Sequence, residues 1–325
     1  MKAVLLREFG APDQLYFGEA PNPTPLDDEV LINVAAAALN RADLMQRQGF
    51  YPPPAGASEI LGLEVAGTVV GVGKNAEKWL GKRVMALLSG GGYAQQIAVD
   101  QGLILEIPEN LGFEQAAAVM EAFLTAYQAI HWLGKLKEGE KILIHAAASG
   151  VGTAAIQLAG LLNAEIWATA SAAKHDLCKS LGAHHCIDYQ NEDFTQCVLN
   201  SSVGVDVCMD FIAGPYFQQN LKVMALDGRL VMQGSMGGTK LDQVQLLPIL
   251  KKRLTVVGST LRSRSLNYRI ALVEEFGSTC LSQFLNQRLK PIVDRVFPWQ
   301  QVQEAHLYMQ QNKNQGKIVL RVNDE

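Results

Sequence analysis

KILIHAAASGVGTAAIQLAG, residues 141–160, decides the fold. An apolar, strand-like run enters a turn of small residues, and an Ala-rich, helix-like segment leaves it. That arrangement aims backbone N–H groups and the positive end of a helix at a pyrophosphate. Against the G-x-G-x-x-G template, Ala147 and Ser149 occupy the first two glycine positions and Gly152 the third, with Gly150 adding a further small residue. The fingerprint alone is weak. Its place at the first turn of a β/α series makes it a dinucleotide loop. Residues 142–164 also lack Asp, Glu, Lys and Arg and are long enough to span a bilayer. Ser149, Gly150, Gly152, Thr153, Gln157, Gly160 and Asn163 interrupt them, so a buried strand followed by a helix is expected instead.

Downstream, strand-like runs recur near 165–170, 185–189, 205–212, 229–234 and 254–260, separated by helical periodicity. Six strands alternating with helices predict an α/β, doubly wound parallel sheet. Residues 1 to about 118 read differently, with Pro, Gly and short apolar runs at Glu29–Ala35, Val65–Val72 and Arg83–Leu88, as in a mostly β domain. A helix near 267–287, a strand at 291–298, a helix at 299–312 and a strand at Ile318–Val322 follow, and this ending resembles the first domain. The expected division is 1–119 with 287–325, and 120–286 for the dinucleotide domain.

The second strand selects the dinucleotide. An NAD site usually places Asp or Glu at its end for the ribose 2′-OH. AEIWATASAAK (164–174) ends in Thr169, Ala170 and Ser171, and Lys174 follows. Its one acid, Glu165, lies about 20 Å from Ser171 at ~3.3 Å per residue. A 2′-phosphate needs a cation and hydroxyl donors, so NADPH is expected.

A chain of 325 residues suggests two domains, and 48% apolar with 18% charged residues is a globular composition. The net charge of −4 and the lack of long basic runs argue against nucleic acid or an anionic membrane as partner. Lys251-Lys252-Arg253 reads as a solvated helix end. Cys178, Cys186, Cys197, Cys208 and Cys280 form no C-x-x-C pair, which fits a reducing cytoplasm. MKAVLLREFG meets Arg7 and Glu8 too early for a signal peptide.

ALNRADLMQRQGFYPPPAGASEILGLE (38–64), PEN (108–110), EAFLTAYQ (121–128), ASGVGTAAIQL (148–158), ALDGRLV (225–231), LRSR (261–264) and QEAHLYMQQNKNQGKIVL (303–320) resemble the zinc-free quinone oxidoreductases of the medium-chain dehydrogenase/reductase superfamily. The similarity spans nearly the whole chain. It implies a GroES-like β-rich catalytic domain, an inserted Rossmann domain, NADPH as hydride donor, a quinone or activated alkene as acceptor, and a homodimer or dimer of dimers. By the same resemblance, Ser149, Gly150, Val151 and Gly152 would contact the pyrophosphate, and Ser171, Lys174 and Tyr189 the 2′-phosphate. Gly234, Ser235, Met236, Thr260, Leu261 and Arg262 would lie along the nicotinamide half, with Thr125 facing the ring and Asn314 reaching the cofactor. Asn40 and Tyr51 would line the substrate cleft. The family often has Gly where this chain has Ala170, and Met45 stands where some relatives carry a second active-site Tyr.

Zinc-dependent members of the superfamily carry G-H-E; here Gly62-Leu63-Glu64 keeps the spacing without the imidazole. Leu supplies no ligand, the Cys expected before Asp43 is absent, and 90–110 has no cysteine, so no metal is expected. The His184-His185 pair reads as a cap at a helix-to-strand turn. Without a metal, the acceptor must already be electrophilic. Tyr51, protonated at neutral pH, and Asn40 are the candidate catalytic groups, to hydrogen-bond a developing oxyanion. Tyr51 could equally pack on Pro52–Pro54 as a lid. Quinone reduction leads, enone reduction is the alternative, and a non-enzymatic NADPH-binding protein is the reading from a different class.

Overall fold

The computed structural model describes residues 1–322. The chain forms two compact units, Met1–Leu124 joined by the segment from Leu261 onward, and Thr125–Thr260. In chain order the first unit contributes β1 (Lys2–Leu6), β2 (Leu15–Glu19), β3 (Glu29–Ala38), β4 (Glu64–Val72), β5 (Arg83–Leu87), β6 (Gln96–Asp100) and β7 (Ile104–Glu106). The second unit holds β8 (Lys141–Ile144), β9 (Glu165–Ala170), β10 (His185–Asp188), β11 (Val205–Asp210), β12 (Met224–Met232) and β13 (Thr255–Gly258). Finally β14 (Val293–Pro298) and β15 (Lys317–Arg321) return to the first unit, where β15 pairs antiparallel with β3.

In the first unit, β3 is the hub. It pairs with β4, β6 and β15, and the alternation of Val30, Ile32 and Val34 turns one face into the core. Gly62 (φ +103°) lets two backbones cross, because a Cβ there would stand 2.7 Å from the Gly92 Cα. The second boundary lies at 260/261 rather than at 286/287. The helix Leu266–Leu285 packs on the first unit: Phe276 and Phe284 meet Phe123, and Gly277 lies against Leu105.

The second unit is a parallel sheet of order β10-β9-β8-β11-β12-β13, the doubly wound order expected. Leu143, Trp167, Ile187, Cys208 and Leu230 are buried in one cluster, as in a sheet covered on both faces. The charge-poor stretch 142–164 resolves into the end of β8, a turn, and the helix Gly150–Leu161. No helix among the described residues is long and apolar enough to cross a membrane.

Candidate functional site

The two units each gather a group of the expected residues. In the second, Ser149 caps the helix Gly150–Leu161, its Oγ accepting from the Gly152 N–H at 3.0 Å. The first-turn amides of Gly150 and Val151 have no acceptor within the helix, which leaves them for an anion. Gly152 has to be glycine. A Cβ would stand 2.5 Å from the carbonyl oxygens of Ala146 and Ala147, so this residue sets how closely the helix approaches the strand. Ser171, Lys174 and Tyr189 follow the C-terminal ends of β9 and β10, while Gly234, Ser235, Met236 and Thr260 follow those of β12 and β13. All lie along the carboxyl edge of the sheet, where doubly wound sheets bind ligands. Thr125 lies about one turn before Gln128, whose Oε1 accepts from Ser259 Oγ at 2.8 Å beside Thr260.

Glu165 sits at the opposite end of β9, paired with Lys141 at 3.6 Å and His185 at 3.1 Å. One acid near the β9 terminus escaped the sequence reading. Asp188 is in register with Ala170, and hydrogen bonds from Asn191 Nδ2 (2.6 Å) and the Gln190 amide (3.2 Å) hold its carboxyl below the usual range. Its oxygens are held by its own loop and by the Ala172 amide beside Ser171. His184 Nδ1 accepts from the Ile166 amide at 3.1 Å, so this ring does tie a turn.

In the first unit, Asn40 is the N-cap of the helix Arg41–Arg47 and stands in a buried polar cluster. Its Nδ2 donates to Glu64 Oε1 (3.0 Å), and its Oδ1 accepts from Lys317 Nζ (2.7 Å). Lys317 Nζ also reaches Glu64 Oε1 at 2.5 Å and the Leu39 carbonyl at 2.7 Å, and both charged side chains are buried. The Glu121 amide donates to Glu64 Oε2 at 2.8 Å. Asp43 accepts from the amides of Asn40 (2.7 Å) and Gly62 (3.0 Å) and from the Tyr93 hydroxyl (3.2 Å). Burial still pushes its carboxyl up to about 6. Behind Tyr93, burial lowers His306 to about 3.

Asn40 therefore has its amide engaged at both ends, which makes it a strut of the cluster. Arg262, expected along the nicotinamide half, directs its guanidinium to the carbonyls of Ser89 (2.8 Å) and Tyr51 (3.4 Å) and to Gln46 Oε1 (2.8 Å). Leu261 beside it is buried, and Asn314 Nδ2 donates to the Gly316 carbonyl at 2.8 Å. Tyr51 is half-buried with Arg262 5.4 Å from its ring centre, and burial raises its hydroxyl, so it stays a donor at neutral pH. Leu63 is buried and apolar. Among the described residues, no group of three or more His, Cys, Asp or Glu is arranged to hold a metal ion.

Two participants were missed. Lys317 looked like an ordinary strand residue, and only the fold brings it to Glu64. Glu121 had a usable signal: it is the one charge in QAAAVMEAFLTAYQAI (115–130). Burial raises its carboxyl to about 8, helped by the neighbouring negative charge of Glu64.

Residues 26–109 match the family described as the alcohol dehydrogenase GroES-like domain, and 150–276 match zinc-binding dehydrogenase. The rat synaptic vesicle membrane protein VAT-1 homolog is 33% identical over 98% of this chain and 84% of its own. The chain belongs to the medium-chain dehydrogenase/reductase superfamily. Its solved neighbours within that superfamily include the CurK enoyl reductase, 30% identical with a TM-score of 0.88 over 99% of each chain. A quinone oxidoreductase from Coxiella burnetii is 28% identical with a TM-score of 0.81 over 99% of each chain. A mycobacterial protein complexed with NADPH is 25% identical with a TM-score of 0.88, over 99% of this chain and all of its own. The superfamily is one of oxidoreductases that bind a nicotinamide cofactor.

Proposed function

We propose that the protein is a zinc-independent reductase that uses NADPH to reduce a quinone. The observation that carries this reading is the surroundings of Leu63. The zinc ligand of the G-H-E motif is replaced by a buried apolar side chain, and the adjoining Glu64 carboxylate is taken up by Lys317, Asn40 and the Glu121 amide. An acceptor that is already electrophilic suits such a site. The quinone oxidoreductase neighbour supports that choice, as does the resemblance of 38–64 to the tumour-suppressor-inducible NADPH quinone oxidoreductase.

The cofactor fits the second unit. The helix start at Ser149–Gly152 suits the pyrophosphate, and Lys174 with Ser171 suits a 2′-phosphate at a strand end whose nearest acid, Asp188, is already engaged by Asn191, Gln190 and the Ala172 amide. When bound, the dihydronicotinamide supplies a hydride. Tyr51 donates a hydrogen bond to the oxyanion that develops on the acceptor, Asn40 holds Glu64 and Lys317 in place, and the apolar residues around the cluster exclude water.

Reduction of an α,β-unsaturated carbonyl is the second reading, favoured by the enoyl reductase neighbour. A dimer, held through the outer edge of β13 and the exposed Leu246, Leu247 and Leu250 beside it, would complete the protein in a reducing, cytoplasmic setting. The test is NADPH oxidation with 1,2-naphthoquinone and with an enone, in the presence of a chelator. Quinone turnover that survives chelation is expected. NADPH binding without turnover on either acceptor would favour a non-enzymatic binding protein.

A further inference from the structure

We propose that Glu121 is the acid that protonates the reduced acceptor, an assignment that rests on the reductase reading above. The charges of the cluster do not balance. Lys317 touches Glu64 alone among the acids, and Asp43 is served by two amides and the Tyr93 hydroxyl. Glu121 receives nothing. Its amide is bonded to Glu64, which fixes the backbone at the start of the helix Met120–Tyr127, and its Oε2 is sealed from solvent with no hydrogen-bond partner. Glu121 is half-buried, but a carboxylate with one oxygen sealed and no cation or donor is costly, and the group escapes that cost by keeping its proton.

The groups that face it from every packed element are Glu64 on β4, Asp43 on the helix Arg41–Arg47, Lys317 on β15, Tyr51, Arg262, and Arg269 on the helix Leu266–Leu285. Glu64 and Asp43 push its proton affinity up, while Lys317 and Arg262 pull it down. The net position, about 8, suits an acid working near neutrality, whereas Tyr51, raised above an already high value, holds its proton too firmly.

In the step, a hydride brings two electrons and one hydrogen to the acceptor, and a π pair moves onto its oxygen. The Glu121 O–H bond breaks, its proton neutralises the acceptor anion, and water restores the proton to the carboxylate. Tyr51 stabilises the anion and keeps its own proton.

Two measurements on the intact protein test this. Infrared difference spectra of the cofactor-free protein, titrated from about pH 6 to about pH 10, should show a protonated-carboxyl band lost near pH 8 and absent from Glu121→Gln. With an enone, wild-type kcat should fall above the same pH. Glu121→Gln should lose about a hundredfold in kcat with a flat profile and unchanged NADPH Kd, and Glu121→Asp should recover part of the rate. A carboxyl already ionised at about pH 6, or wild-type turnover by Glu121→Gln, would overturn the assignment. If the wild type oxidises NADPH with neither the quinone nor the enone, the reductase reading fails and the proton-delivery role with it, even where the infrared band titrates as expected.

Discussion

The small-residue loop Ala146–Gly152 of the second unit and the acid cluster of the first are both dense in polar groups, yet they are held over different spans of chain. The loop closes on itself: Ser149 caps Gly152 three residues away, and the Ala147 amide bonds the Thr169 carbonyl on the next strand. The cluster joins residues separated by 24, 57 and 277 positions. Backbone geometry holds the first, and paired buried charges hold the second. The loop should tolerate loss of a side chain and fail on gaining one; the cluster should do the reverse.

The largest expected effect tests the cluster. Lys317→Met strands the buried Glu64 carboxylate and should cost about 3–5 kcal/mol in denaturant unfolding, with Lys317→Met/Glu64→Gln recovering most of it. A loss under about 1 kcal/mol would mean that the ion pair is not what holds β15 to β4. For the loop, Gly152→Ala should cost about 1–3 kcal/mol and abolish NADPH binding, because its Cβ enters the space of two carbonyls. Ser149→Ala, which deletes only a cap, should cost about 1 kcal/mol. Equal effects from the two would erase the contrast.

Acidity separates the units as well. Glu121, raised in the fold to about 8, adds stability below its unfolded value that is lost as pH rises through about 8. His145, buried against Thr169 Oγ1 and Asn220 Oδ1 and lowered by burial, adds stability that is lost as pH falls below its unfolded value near 6.5. Between about pH 6.5 and 8, hydrogen exchange should therefore speed up in the first unit as pH rises, beyond its intrinsic chemical acceleration. That excess should be missing around His145, and Glu121→Gln should remove it from the first unit. The effect confined to binding is that of Lys174→Ala. It should raise the NADPH KM about tenfold and leave the NADH KM alone. An unchanged NADPH value would detach Lys174 from the 2′-phosphate.

This contrast also explains what the sequence made legible. Strand and helix periods, the small residues 146–152 and the missing acid after Thr169 are local features, and the six-stranded parallel sheet, the strand–turn–helix at 141–161 and the displaced Glu165 followed from them. The second boundary was misplaced because periodicity shows that Leu266–Leu285 is a helix but does not show which core receives Phe276 and Phe284. Asp188 escaped because its alignment with Ala170 is a matter of register across strands. Lys317 escaped because an ion pair 253 positions from Glu64 leaves no trace in spacing, whereas the lone charge at Glu121 was there to be read.

The separation of 277 positions between Asn40 and Lys317 also bears on how the protein is born. On a ribosome, Glu64 emerges long before its cation, while Thr125–Thr260 is one continuous stretch that can fold as soon as it clears the tunnel. The first unit lacks the cation for Glu64 until Lys317 emerges, whereas every residue of the second unit is already out by Thr260.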